Sequence, residues 1–207
     1  MIAVSFEDLG HRFSRNWLFR HLNGHFQTGD FVLVTGRNGA GKSTLLRMTG
    51  LLADSLEGKV HLSPSGQYTK LNRHLWCGYV SPPVRLYAEL TGEETLRLAA
   101  DSRQLTPDAR LDSWKASSGL SASDWNKPVR QWSSGMTQRL KLLTACMHAP
   151  HLLLLDEPFS NLDQSGRNWF ESILADMRSS TLIFLATNDP ADFELSSTVI
   201  RIGDEKA

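Results

Sequence analysis

The sequence predicts an α/β fold, a mainly parallel sheet flanked by helices. Three observations carry that reading. Short apolar runs bounded by turn residues alternate with longer stretches of helix-type spacing. Two of the runs, 152–155 and 181–186, are apolar on both faces, as the central strands of a parallel sheet are. A glycine-rich loop joins the run at 31–34 to the helix-type stretch after it.

Along the chain, Phe31-Val32-Leu33-Val34 follows the turn Thr28-Gly29-Asp30 and reads as a buried strand. Helical spacing covers 42–52. Residues 58–62 alternate apolar and polar and read as a half-exposed strand, and 75–80 reads as another. From 91 to 131 the chain is polar and strand-poor, with Glu93-Glu94 leading into a helix at Leu96, Leu98 and Ala99. A small helical lobe is expected there, inserted between the strand ending near Val80 and a helix starting near Ser134. Helical spacing returns at 135–148 and 164–177, 199–202 is a short last strand, and the tail 203–207 is expected to be a solvated end. The organisation expected is one domain over 1–207, its core at 1–86 and 132–207 and its lobe at about 87–131.

Composition excludes several classes. The chain has 207 residues, 41% of them hydrophobic and 21% charged, enough to build one core. Lys plus Arg equals Asp plus Glu, 22 against 22, and a protein that neutralises nucleic-acid phosphates shows a basic excess instead. Nucleic acid is therefore not an expected partner. Cys77 and Cys146 lie outside any C-x-x-C pattern, which argues against a disulfide scaffold or zinc site and suits a reducing cytosol. Glu7 and Asp8 precede any base, so the start is not a secretory signal, and no run approaches the ~18 apolar residues of a membrane span. The 6 tryptophans form no single box and read as core or partner-facing surface; the 7 histidines offer no i, i+4 pair beside a carboxylate.

Gly36-Arg37-Asn38-Gly39-Ala40-Gly41-Lys42-Ser43-Thr44 fits G-x-x-x-x-G-K-[ST] between a strand and a helix. Glycines let such a loop curl until successive backbone N–H groups face one pocket, and the helix start adds positive potential. Lys42 then reaches the β- and γ-phosphates, and the Ser43 hydroxyl ligates Mg²⁺. A fortuitous glycine turn is the competing account, and the strand–helix context weighs against it. Downstream, Leu155-Asp156-Glu157 puts two carboxylates at the end of a buried strand, where open α/β sheets bind ligands. Asp156 suits Mg²⁺, directly or through water. Glu157 suits a water attacking the γ-phosphate, against the plainer reading of a polar strand exit.

In this order the elements resemble the ATP-binding subunit of an ABC transporter, over essentially the whole chain. Trp132-Ser133-Ser134-Gly135-Met136-Thr137-Gln138-Arg139 resembles that family's signature, LSGGQ-x-QR, with Ser133, Gly135, Gln138 and Arg139 in place. A serine-capped helix start with small residues forms an anion site able to meet a γ-phosphate presented by another subunit. Ser160-Asn161-Leu162-Asp163 is similar to the family's D-loop, which touches the partner cassette, and it also reads as a turn capping the next helix. Phe13 occupies the position of the aromatic that stacks on adenine. Core packing is the rival for Phe13, with Trp17 and Phe19 as competitors for the stacking role.

The fold the resemblance implies is a P-loop NTPase-type core sheet, mainly parallel and flanked by helices, with an antiparallel β N-terminal part and the inserted lobe. It implies ATP and Mg²⁺ as cofactors. It implies as partners a second cassette, as a homodimer, and integral-membrane transporter subunits, at the cytoplasmic face of the inner or plasma membrane. In the paired form, residues 133–135 of one copy cover 36–43 of the other. Two departures stand out. Ser81-Pro82-Pro83 puts Pro82 where the family has glutamine, and Asn188 in Thr187-Asn188-Asp189 stands at the family's histidine. Proline offers no side-chain partner to Mg²⁺ or water, and asparagine cannot shuttle a proton. The expectation is ATP binding with slow hydrolysis, carried by Lys42, Glu157 and Asn188. The short length, no extension after Ile202 and the form of the signature resemble export-type cassettes, and the haem-exporter cassette of cytochrome c maturation is similar in size. A soluble ABC-type ATPase of a cofactor-assembly complex and a nucleotide-gated binding module are the alternatives.

Overall fold

A computed structural model describes residues 1–14, 16–106 and 109–203. Two sheets form the framework. The first is antiparallel, in the order β2-β1-β4, from β1 (Ala3–Phe13), β2 (Asn16–Gln27) and β4 (Glu57–Ser63). The second is parallel, in the order β5-β6-β7-β3-β8, from β3 (Phe31–Thr35), β5 (Cys77–Val80), β6 (Leu152–Asp156), β7 (Leu182–Ala186) and β8 (Thr198–Arg201).

Alternation along the central strands divides the core between the two faces of the parallel sheet. Leu153 and Leu155 of β6, Ile183 and Leu185 of β7, and Phe31 and Leu33 of β3 join one apolar cluster with α6 (Ser134–Cys146) and α7 (Gln164–Met177). Leu152, Leu154, Leu182, Phe184, Val32 and Val34 join the other, with α1 (Lys42–Thr49) and the antiparallel sheet. All ten residues of β6 and β7 are buried, which is why these runs show no polar face. Phe6, Phe26 and Phe184 cluster at 5.2–6.1 Å between centroids, Phe26 edge-on to Phe184 and the other two pairs tilted, and join the two sheets. Each such buried side chain contributes about 1.5–3 kcal/mol.

Three expected boundaries move. The strand read at 75–80 begins only at Cys77, because Arg73–Trp76 forms a helical turn, α2, pinned by Trp76 Nε1 donating to Asn72 Oδ1 at 2.9 Å. The helix read at 42–52 stops at Thr49, where Gly50 caps it and Leu51 turns to a positive φ of 55°. The helix read at 135–148 ends at Cys146. Of the tail 203–207, only Gly203 lies within the described residues.

Between β5 and α6 lie α3 (Gly92–Asp101), α4 (Ala109–Ala116) and α5 (Ala122–Trp125), followed by a 3₁₀ turn at Val129–Gln131. Thr91 and Ser121 start α3 and α5 with capping boxes. Leu96, Trp114, Trp125 and Val129 of this region belong to the same cluster as α6 and α7. Trp132 stands edge-on to Trp125 at 5.6 Å, and Gly92 makes the room, since a Cβ there would lie 2.5 Å from the Trp132 ring. Five of the tryptophans, Trp76, Trp114, Trp125, Trp132 and Trp169, are buried, as the core reading expects.

One half-buried histidine is expected to make stability fall on acidification. Burial, with Arg103 alongside, lowers the His148 imidazole from 6.5 to about 3. The folded value lies below the unfolded one, so the unfolded chain takes the proton first. This contribution is therefore full above about 6.5 and is lost as pH falls towards 3. His148→Phe is expected to flatten the dependence by up to about 1.4 kcal/mol per pH unit, read by urea unfolding at pH 7 and pH 5. Equal losses in parent and variant would show that another group drives the acid limb.

Candidate functional site

The site lies at the C-terminal ends of β3, β6 and β7, where a parallel sheet leaves a crevice. Between β3 and α1 the loop bends through positive φ at Gly36, Gly39 and Gly41 (153°, 81° and 102°). Gly36 is required by close approach: a Cβ there would lie 2.2 Å from the Ile202 carbonyl oxygen. Gly41 starts α1 in a left-handed conformation with no side-chain cap and no acid in the first turn. The first N–H groups of that helix are left to an anion. Lys42 is 8% exposed, and its Nζ donates to the Gly36 carbonyl at 2.8 Å, folding the ammonium back over the loop.

A cleft of about 600 Å³ opens at this point. It brings together Phe13, Asn38, Gly39, Gly41, Lys42, Ser43, Thr44, Asp156 and Glu157 from positions far apart in the chain. Arg37 and Ala40 line an adjoining cleft, which shares Phe13, Asn38 and Gly39 with the first. Phe13 is 78% exposed and takes no part in the core, whereas Phe19 is buried and Trp17 lies between Arg12 and Arg20 at 5.5 and 4.4 Å. The cleft also includes Pro82, expected there from its place at the family's glutamine position, with Pro83, and it adds Leu18, Arg47 and Tyr79, which no motif singled out. Pro82 and Pro83 occupy the centre of a turn closed by Val84 N–H donating to the Ser81 carbonyl at 3.1 Å.

Asp156 ends β6 almost fully buried. Burial pushes its carboxyl above the ordinary carboxylate range, opposed by a hydrogen bond from Ser43 and the charges of Lys42 and Arg47. Glu157, next along, adopts a positive φ of 50° with its N–H donating to the Ala186 carbonyl at 2.9 Å. Burial raises it too; Lys42 opposes, while Asp156, Asp192 and Asp189 add to the rise. Asn188 follows buried Thr187, and its Nδ2 donates to Asn38 Oδ1 at 2.8 Å, tying the end of β7 to the glycine loop.

The signature segment stands elsewhere. None of Ser133, Ser134 and Gly135 lines the cleft, and both serines are exposed. Ser133 caps α6 by accepting from Met136 N–H at 3.2 Å. The following pair reaches the segment after Glu157: Gln138 Nε2 donates to the Pro158 carbonyl at 2.7 Å, and Arg139 Nη2 to Asp163 Oδ1 at 2.6 Å. Gly135 is needed for the same approach, because a Cβ there would lie 2.8 Å from the Asn161 carbonyl oxygen. Asp163 caps α7 through Gly166 N–H at 2.9 Å and lines a second cavity of about 330 Å³ beyond Glu157.

This sheet order, with a glycine loop before α1 and an acidic pair at the end of β6, defines the P-loop class of α/β nucleotide-binding folds. The family model described as "ABC transporter" matches residues 19–160. An ABC transporter ATP-binding protein of Haemophilus influenzae is 30% identical over 91% of this chain and 77% of its own. The bacitracin transport ATP-binding protein of Enterococcus faecalis is 30% identical over 98% and 67%. An aliphatic sulfonates import ATP-binding protein of Bacillus cereus is 27% identical over 96% and 80%. Among solved structures, the ATP-binding subunit of an ABC transporter superposes with a TM-score of 0.86 at 24% identity, over 96% of this chain and 85% of that one. An ATP-binding cassette solved as a dimer with ADP and Pi does so with 0.82 at 21%, over 97% and 94%. The chain belongs to the ABC transporter family.

Proposed function

We propose that this chain is the ATP-hydrolysing subunit of a membrane transporter and works as a pair of cassettes. One observation carries the reading. Lys42, Ser43, Asp156 and Glu157 share a cleft open on one side, while Ser133, Ser134 and Gly135 lie outside it at the start of α6, with both serines exposed. A second copy, head to tail, supplies its residues 133–135 to close the open side, and Asp163 faces that partner.

In this reading Phe13 stacks on adenine, and the backbone N–H groups of Gly36, Arg37, Asn38, Gly39, Ala40 and Gly41 wrap the phosphates, with Thr44 in the first helical turn. Lys42 leaves the Gly36 carbonyl for the β- and γ-phosphates. Ser43 and Asp156 are hard oxygen donors already hydrogen-bonded to each other, a pair that fits Mg²⁺, which when bound with ATP neutralises charge between the phosphates. Glu157 orients or deprotonates the attacking water; its raised pKa brings it nearer the working pH of a general base. Asn188 turns from Asn38 to donate to the γ-phosphate. Loss of that phosphate removes the bridge between copies, and the helical lobe over 87–131 carries the movement to integral-membrane partners at the cytoplasmic face.

For direction and cargo, the signature's form favours export, with haem export for cytochrome c maturation as the narrowest version of that reading. The relatives range from aliphatic sulfonate import to bacitracin transport, so the family supports neither direction over the other. Pro82 in the cleft and Asn188 favour a second reading, a nucleotide-gated module that binds ATP without turning it over.

Purification of the tagged protein from detergent-solubilised membranes tests the transporter reading. A multi-span membrane protein in stoichiometric amount is expected. Recovery with a soluble partner instead would point to an assembly ATPase. In the same preparation, Asn188→His is expected to raise ATP turnover at least about tenfold, through restored proton sharing. No gain would mean that position 188 is not limiting, and bound ATP that never turns over in either form would favour the gated module.

A further inference from the structure

Arg167 lies in the first turn of α7, just past the Asp163 cap, and none of the motifs accounts for it. Its side chain is only 16% exposed and is engaged on every side. Nη2 donates to Asp192 Oδ1 at 2.6 Å, Nε donates to Glu171 Oε1 at 2.8 Å, and Nη1 is 3.7 Å from Asp189 Oδ2. The guanidinium lies over the Phe159 ring, 4.4 Å from its centroid. The Asp192 side chain is 2% exposed, so its charge depends on a partner inside the protein.

Apart from Glu171 on α7 itself, these partners belong to two segments that approach the site from different strands. Phe159 sits between Glu157 and Asp163, after β6. Asp189 and Asp192 follow Asn188, after β7. Asp189 N–H donates to Thr187 Oγ at 3.0 Å, and its carboxylate accepts from Ala191 N–H at 3.0 Å, so Asn188 is held within a short rigid turn. Asn188 in turn reaches Asn38 of the glycine loop. Asp189 and Asp192 add negative field at Glu157, and Arg167 pairs with both of those aspartates where all four side chains line one cavity. A planar fork that bonds in two directions while stacking is a role for arginine and not for lysine.

We propose that Arg167 is a positioning residue that locks the Asn188 turn to the Glu157–Asp163 loop, so that a contact made at Asp163 alters the geometry at the γ-phosphate. The proposal rests on the hydrolytic reading above and deepens it. Amide hydrogen exchange of the nucleotide-free chain tests the lock without requiring hydrolysis. In Arg167→Gln, exchange at 159–163 and at 187–192 is expected to rise together, by about tenfold. A rise confined to one segment, or no rise, overturns the proposal.

Arg167→Gln also strands the buried Asp192 carboxylate, and Asp192→Asn in the same chain removes that separate penalty. The double variant is expected to melt like the parent yet stay at least about tenfold slower in ATP turnover, with ATP affinity within about twofold of the parent. Turnover that recovers together with melting temperature would make Arg167 purely structural and overturn the proposal. A parent that binds ATP and never hydrolyses it refutes the hydrolytic reading instead, and the exchange pattern still decides the lock.

Discussion

Glu157→Gln is expected to lower ATP turnover about 10²- to 10⁴-fold while leaving ATP bound, the range lost with a positioned general base. Glutamine is isosteric, so the positive-φ backbone at 157 and its N–H bond to the Ala186 carbonyl are undisturbed. What changes is charge. Glu157 stands near Asp156, Asp189 and Asp192, and a γ-phosphate arriving there adds to the same negative field. Neutralising one carboxylate relieves that field, so ATP affinity is expected to hold or improve. Unspent ATP then keeps the two copies together, and light scattering on a size-exclusion column should show an ATP-dependent dimer. The parent's acid limb supplies a second readout. Burial and neighbouring acids raise Glu157, so turnover is expected to fall on acidification at a pH above the ordinary carboxylate range. Turnover in Glu157→Gln equal to the parent's would remove Glu157 from the chemistry.

The core strands were legible because burial on both faces leaves no polar alternation to confuse: β3, β6 and β7 stand within a residue of the apolar runs. The two longest strands were not placed. β1 and β2 pair along most of their length, yet register shifts between Phe6 and Leu9, Leu9 and His11, and His11 and Arg12 break the period of two. Their outer face carries His21, His25 and Asp8, whose hydrogen bonds run between strands and leave no mark in the sequence. The motif residues of the site were legible because phosphate binding needs contiguous backbone, and contiguity is what a sequence displays. Arg167 depends on Asp192 and Phe159, partners that adjoin it only in the fold. Its spacing from Asp163 and Glu171 on one helix was a visible but unspecific signal.

The tie between Gly135 and the Asn161 carbonyl has a similar lesson. Sequence motifs suggest that a small residue at 135 serves a phosphate on another subunit. Within this chain it also lets α6 approach the loop that follows Glu157, a loop that Gln138 and Arg139 grip as well. The exposed signature and the acidic pair are thus mechanically continuous inside one copy. On the paired-cassette reading proposed above, a contact at the start of α6 has a direct route to Pro158, next to Glu157, through Gln138.

Lys42→Met is expected to weaken ATP binding about 10²- to 10³-fold, since one ammonium–phosphate contact near 4 Å is worth up to about 4 kcal/mol at an effective dielectric constant of about 20. Methionine fills nearly the same volume, so the loop keeps its shape and the loss reports charge. A second consequence concerns the fold. Lys42 is among the charges that hold Asp156 and Glu157 down against burial. Without it both carboxyls rise further, and the folded chain binds protons over a wider span than the unfolded one. Stability is then lost as pH rises through that span, so the variant is expected to trail its parent more at pH 8 than at pH 5. Calorimetric titration with ATP and urea unfolding at the two pH values measure both effects. An affinity unchanged by the substitution would take Lys42 out of the phosphate site. A stability deficit equal at pH 5 and pH 8 would show that Lys42 does not govern the ionisation of the two acids at the end of β6.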